Sequence, residues 1–219
     1  MAFALLISAV VAFITANSIF NSNGITSFGK FLFAGSRIGF WIFAIAEVVL
    51  VWWLSSAIKK ISVATATIGF LVYAVLNGLT LSSILFVYTL SSIGGVFLGC
   101  SAMFAIMSFY GAKTQKNLST FGKYLMMGLF GVIIANLIQF VISMITGNPL
   151  TIFDFLISIA CVAIFTGLTA YDTQKLVAIA ENANGSDDYK KVSIIAALEL
   201  YLDFINLFLA LLRLFGKRR

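Results

Sequence analysis

Of the eight acidic residues in the chain, two stand inside long apolar runs. Glu47 lies in Ala44-Ile45-Ala46-Glu47-Val48-Val49-Leu50, and Asp203 lies in Leu200-Tyr201-Leu202-Asp203-Phe204-Ile205-Asn206. Two more, Asp172 and Glu199, sit near the ends of such runs. An ionisable group near a bilayer centre costs at least ~2.5–3.5 kcal/mol, so it faces protein or water and commonly serves function. With about 100° per residue, Glu199, Asn206 and Arg213 fall about 40°, 60° and 80° to one side of Asp203. One polar stripe therefore runs down an otherwise apolar helix, which must turn that face to a bundle interior or a water path. The plainer reading is internal pairing that fixes helix packing. For an Asp in one stripe with Glu199 and Asn206, an ion or proton site is the stronger reading.

Asp172 closes the apolar part of Thr169-Ala170-Tyr171-Asp172-Thr173-Gln174-Lys175. By itself it reads equally well as an interfacial group that leads the helix into water. The last two spans form an antiparallel hairpin, however, and a modest helical extension past Gln174 brings Asp172 to the depth of Asp203. Two carboxylates in one low-dielectric site resist joint ionisation, so such a pair holds one proton near physiological pH. Losing that proton adds repulsion that either parts the helices or draws in a cation. This is a pH-controlled gate with hard oxygen ligands suited to transient calcium at Asp172 and Asp203. Glu47 reads either as a protonated packing group or as part of an ion path. Asn77, Asn136 and Gln139 read as packing hydrogen bonds, with neutral oxygen ligation as the alternative.

Other chemistry is excluded. The chain has no His, so a Ser-His-Asp triad, His-ligated zinc and His-ligated haem are absent. Cys100 and Cys161 both lie in apolar runs, which argues against a disulfide framework or a four-Cys metal site. The acidic stretch Glu181–Asp188 reads as a solvated turn, since it lacks the alternating oxygen ligands and closing Glu of a calcium loop. No cofactor is expected, and calcium enters only as a permeant ion.

The elements that must carry these residues follow from composition. Of 219 residues, 61% are hydrophobic and 10% charged, against about 25% charged in soluble domains. Despite a net charge of +6, the Lys and Arg residues form short clusters between apolar runs and no basic face, so no nucleic acid is expected as a partner. The partner is the lipid bilayer. A spanning helix needs about 20 apolar residues. Seven stretches qualify, at 1–20, 38–58, 63–90, 93–110, 124–146, 153–174 and 193–215, making one all-α, seven-span membrane domain. Continuous apolar runs, rather than alternating ones, exclude a barrel. Only Thr89-Leu90-Ser91-Ser92 separates spans three and four, which suits a tight hairpin. Trp41, Trp52 and Trp53 read as interfacial and lipid-facing groups. The first run lacks a basic leading segment and reads as a retained first span rather than a cleaved signal peptide. Lys59, Lys60, Lys113, Lys116, Lys123, Lys175, Lys190 and Lys191 fall on one side, against Lys30, Arg37 and Lys217-Arg218-Arg219 on the other. The excess places the first set, and the N-terminus, in the cytoplasm.

Tyr201-Leu202-Asp203-Phe204-Ile205-Asn206-Leu207-Phe208, followed by Leu211-Leu212-Arg213 and Gly216, closely resembles the last span of the transmembrane Bax inhibitor motif (Bax inhibitor-one) family. Gly167-Leu168-Thr169-Ala170-Tyr171-Asp172-Thr173-Gln174-Lys175 resembles the end of its sixth span. The number, order and length of the spans fit along nearly the whole chain. The resemblance implies a seven-helix fold with the last helix central, and a pH-sensitive calcium leak. It also implies a pH sensor made of two aspartates on the last two helices, matching Asp172 and Asp203. Glu47 stands where relatives commonly carry an acidic residue. Some bacterial relatives place an Arg at the cytoplasmic end of span two, where this chain has Lys59 and Lys60, which cannot form a bidentate guanidinium lock. The chain lacks the Gly-Pro that eukaryotic relatives often carry in span three, so the resemblance is to the bacterial branch, and the inner (plasma) membrane of a bacterium is the expected location.

The competing function is a non-transporting membrane regulator that binds a membrane protein partner such as a membrane protease. A titratable buried pair serves a gate and has no purpose in a pure regulator. An intramembrane aspartyl protease is the weakest reading, because its Gly-rich signature is missing, so the chain is not expected to be an enzyme.

Overall fold

The computed structural model describes residues 1–21, 24–33, 38–146, 151–182 and 185–219. Arg37 and the Ala183-Asn184 part of the acidic turn lie outside the described residues. The fold is all-α, with helices α1 (Ala2–Ile19), α2 (Ser27–Phe33), α3 (Ile38–Ala57), α4 (Val63–Leu81), α5 (Ile84–Val87), α6 (Leu90–Lys113), α7 (Ser119–Thr146), α8 (Thr151–Glu181) and α9 (Asp187–Phe215). A two-residue antiparallel ladder pairs Phe20 with Ile25 and Asn21 with Gly24. Among the described residues, seven helical segments are long and apolar enough to cross a membrane, with α4 and α5 forming one of them.

Two serines make the break between α4 and α5. The Ser82 hydroxyl donates to the Leu79 carbonyl at 2.6 Å, and the Ser83 hydroxyl donates to Thr80 at 2.8 Å. Such bonds offer the backbone an alternative to the helical ladder. Tyr88 and Thr89 alone then connect α5 to α6, a shorter link than the sequence suggests. The sixth span also differs from expectation. Its apolar run fades at Gln174, yet α8 continues to Glu181. Before α9, Gly185 has a φ of 76°, a left-handed conformation that suits glycine. At the start of α9, Asp187 and Asp188 favour the positive end of the helix dipole, and each pairs with a Lys three residues on.

The chain forms two compact units, one of residues 1–90, 182–201 and 218–219, the other of residues 91–181 and 202–217. In the first, α1 lies along α4. Its buried face is Ala4, Ser8, Ala12, Thr15 and Ile19, a stripe of mostly small residues at three- and four-residue spacing. Small residues let membrane helices approach closely, and packing rather than a hydrophobic drive holds them there. Gly78 of α4 completes the fit, since a Cβ there would lie 2.7 Å from the Ser8 carbonyl oxygen. In the second unit, α7 packs along α8, with Gly167 admitting Leu125. The last helix contributes to both units and is the most buried of the seven, with 61% of its apolar window buried against 6–39% in the others. Side chains such as Trp52, Leu98 and Phe130 are exposed, as lipid-facing groups must be, and Trp41 and Trp53 share that exposure.

Candidate functional site

Within the second unit, α8 and α9 hold the two aspartates. Asp172 is 8% exposed and Asp203 is 4% exposed. Each interacts with neighbouring groups. The motif around Asp172 is largely a scaffold. Gly111 of α6 packs directly on the backbone of Ala170, with no room for a side chain, and Gly122 of α7 lies against the Tyr171 ring. Thr169 and Thr173 turn their hydroxyls back to the carbonyls of Phe165 and Thr169, both at 2.7 Å. Gln174 ties down the loop before α7. Its Oε1 accepts from the Leu118 amide at 2.9 Å, and its Nε2 donates to the Lys116 carbonyl at 2.9 Å. One amide thereby serves a backbone donor at the start of α7 and a loop carbonyl.

Around Asp203, the ring of Phe204 meets Phe97 and Phe104 edge-on, with centroids 5.5 and 5.4 Å apart. Cys100, buried and free, lies with its Sγ 3.8 Å from the Phe204 carbonyl. The rest of the polar stripe is more varied. Glu199 and Asn206 are half-buried, and Asn206 donates to the Leu202 carbonyl in its own helix at 2.8 Å. Arg213 is exposed at the end of α9, where a long cationic side chain reaches outward. Among the described residues, no three acidic or thiol side chains gather as a metal-binding group.

The first unit holds a second polar cluster that the sequence only hints at. Glu47, half-buried on α3, receives two donors from α4. Thr80 Oγ1 donates to its Oε1 at 2.8 Å, and Asn77 Nδ2 donates to its Oε2 at 3.2 Å. Asn77 and Thr80 stand three apart and share a helix face. The Asn77 Oδ1 accepts from the Tyr201 hydroxyl at 2.8 Å, and that hydroxyl lies 2.7 Å from Ser8 Oγ. Tyr201 is fully buried, with Phe70 and Tyr73 edge-on to its ring, both at 5.7 Å. A buried phenol needs a partner, and this requirement was the available sequence signal for the cluster. Lys59 and Lys60 are exposed in the turn between α3 and α4. In α7, Asn136 bonds within its helix to Val132, while Gln139 donates to Asp154 at the start of α8.

The chain is 42% identical over 221 residues to the inner membrane protein YbhL of Escherichia coli (strain K12), covering all of this chain and 88% of that one. It is 41% identical over 220 residues to an uncharacterized protein of Borreliella burgdorferi, covering 89% of it. An uncharacterized membrane protein of Streptococcus pyogenes serotype M1 is 40% identical over 176 residues, which are 80% of this chain and 72% of that protein. The family profile described as inhibitor of apoptosis-promoting Bax1 matches residues 1–219, and with seven apolar helices and both aspartate-bearing motifs in place, the chain belongs to this Bax inhibitor family of membrane proteins.

Proposed function

We propose that the protein is a pH-sensitive calcium leak of the bacterial inner membrane, gated by protonation of Asp172 and Asp203. The observation that carries this reading is the burial of two carboxylates, at 8% and 4% exposure, in one compact unit of a membrane protein. Two carboxylates sharing one site away from bulk water do not both ionise cheaply, and in this reading Asp172 and Asp203 share one proton. Its loss leaves two like charges, which either part α8 from α9 or receive a cation through hard oxygen ligands. Glu199, Asn206 and Arg213, on the same side of α9 as Asp203 by helical angle, are the candidates for supporting the sensor or an ion path. Lys59 and Lys60 add positive charge at the end of the α3 segment.

The test is calcium flux through purified protein in liposomes across a pH series. Flux that changes between roughly pH 6 and 8 supports the reading, since a carboxyl sharing a proton changes charge there. No flux at any pH contradicts it and leaves the membrane regulator as the function.

Orientation is part of the proposal. The basic excess in the loops holding Lys59, Lys113 and Lys190 puts those loops in the cytoplasm. Single cysteines introduced there should resist an impermeant thiol reagent applied to intact cells. Labelling of all three from outside would reverse the assignment.

A further inference from the structure

The Thr80 hydroxyl has one hydrogen and two acceptors. It lies 2.8 Å from Glu47 Oε1 and 2.9 Å from the Asn77 backbone carbonyl. With Glu47 ionised, the hydrogen points to the carboxylate. With Glu47 protonated on Oε1, the carboxyl donates to Thr80 Oγ1, and Thr80 turns its hydrogen to the Asn77 carbonyl. A hydroxyl rotates freely between such partners, so no heavy atom needs to move. The second oxygen, Oε2, keeps the Asn77 Nδ2 donor in both states. Every polar group in the cluster thus stays bonded whether or not the proton is present.

The same geometry disfavours a metal ion. The carboxylate faces two hydrogen-bond donors, and the neutral oxygen a cation would want beside it, Asn77 Oδ1, is committed to the Tyr201 hydroxyl. We propose that Glu47, Thr80 and Asn77 form a proton-binding site separate from the two aspartates. Here Glu47 takes a proton from the aqueous phase and returns it, calcium does not bind, and Thr80 is the positioning residue that serves both states. Among the described residues, the titratable groups that interact with Glu47 are the Tyr73 phenol of α4 and the Tyr201 phenol of α9, and Lys30 of α2 is exposed. The inference holds whether or not the protein conducts calcium.

The test is infrared titration of the protein in lipid nanodiscs, following the protonated carboxyl band that Glu47→Gln removes. Thr80→Val keeps the shape but removes the hydroxyl. The ionised form then loses a charge-assisted donor, and the protonated form loses only a neutral acceptor. Bonds to charged groups are the stronger, so the midpoint should rise by about one pH unit. Thr80→Ser, which keeps the hydroxyl, should titrate like the wild type, and millimolar calcium should leave the midpoint unmoved. The site is overturned if the band does not titrate between pH 4 and 9, if Thr80→Val leaves the midpoint in place, or if Thr80→Ser shifts it equally. A midpoint that falls as calcium is added would make Glu47 a cation ligand instead.

Discussion

Replacing either Asp172 or Asp203 by Asn should remove the pH dependence of calcium flux between roughly 6 and 8. Both side chains are buried, so neither charge is screened as it would be at a surface. In the proposed mechanism the gate rests on like-charge repulsion between them. A neutral Asn ends that repulsion while keeping the size of the side chain and its capacity for hydrogen bonds. The remaining carboxylate then no longer shares a proton, and the flux should be flat across the range. The double variant should be no more severe than the worse single one, because residues that act as a unit are not additive. If both single variants keep the wild-type profile, the aspartates serve packing and not sensing.

Gly111→Val should destabilise the second unit by about 1–3 kcal/mol, as overpacked cores typically do. The new Cβ would fall on the backbone of Ala170. A flexible side chain could move aside, but a carbonyl inside a helix cannot, so α6 must separate from α8. Ala170 precedes Asp172 by two residues, and the displacement should reach the aspartate as well. The expected result is a lower thermal midpoint for the protein in detergent, together with an altered pH profile of flux. An unchanged midpoint would mean that the two helices are not packed as closely as the structure has them.

The spans are legible because a continuous apolar run has few alternatives in a membrane, and the burial of Asp203 is legible because a stripe of Glu199, Asn206 and Asp203 could not face lipid. The stripe overstates its reach, since helical angle says nothing about depth, and Arg213 lies exposed at the end of the helix. The length of α8 escapes hydropathy for a related reason. Asp172 and Lys175 end the apolar run, but a helix can continue past it, and Gln174 holds that stretch against the loop before α7. The cluster at Glu47 is hidden more deeply. Ser8 and Tyr201 meet across 193 positions, and no local pattern links them. Gly111 reads as one small residue among many until Ala170 is seen against it.

The central claim is that Asp172 and Asp203 share a single proton. Infrared titration of the wild type and the two Asn variants in lipid nanodiscs measures it directly. The account predicts one protonated carboxyl band that titrates between roughly pH 6 and 8 in the wild type and is lost from that range in Asp172→Asn and in Asp203→Asn alike. A band that persists unchanged in both variants would contradict it.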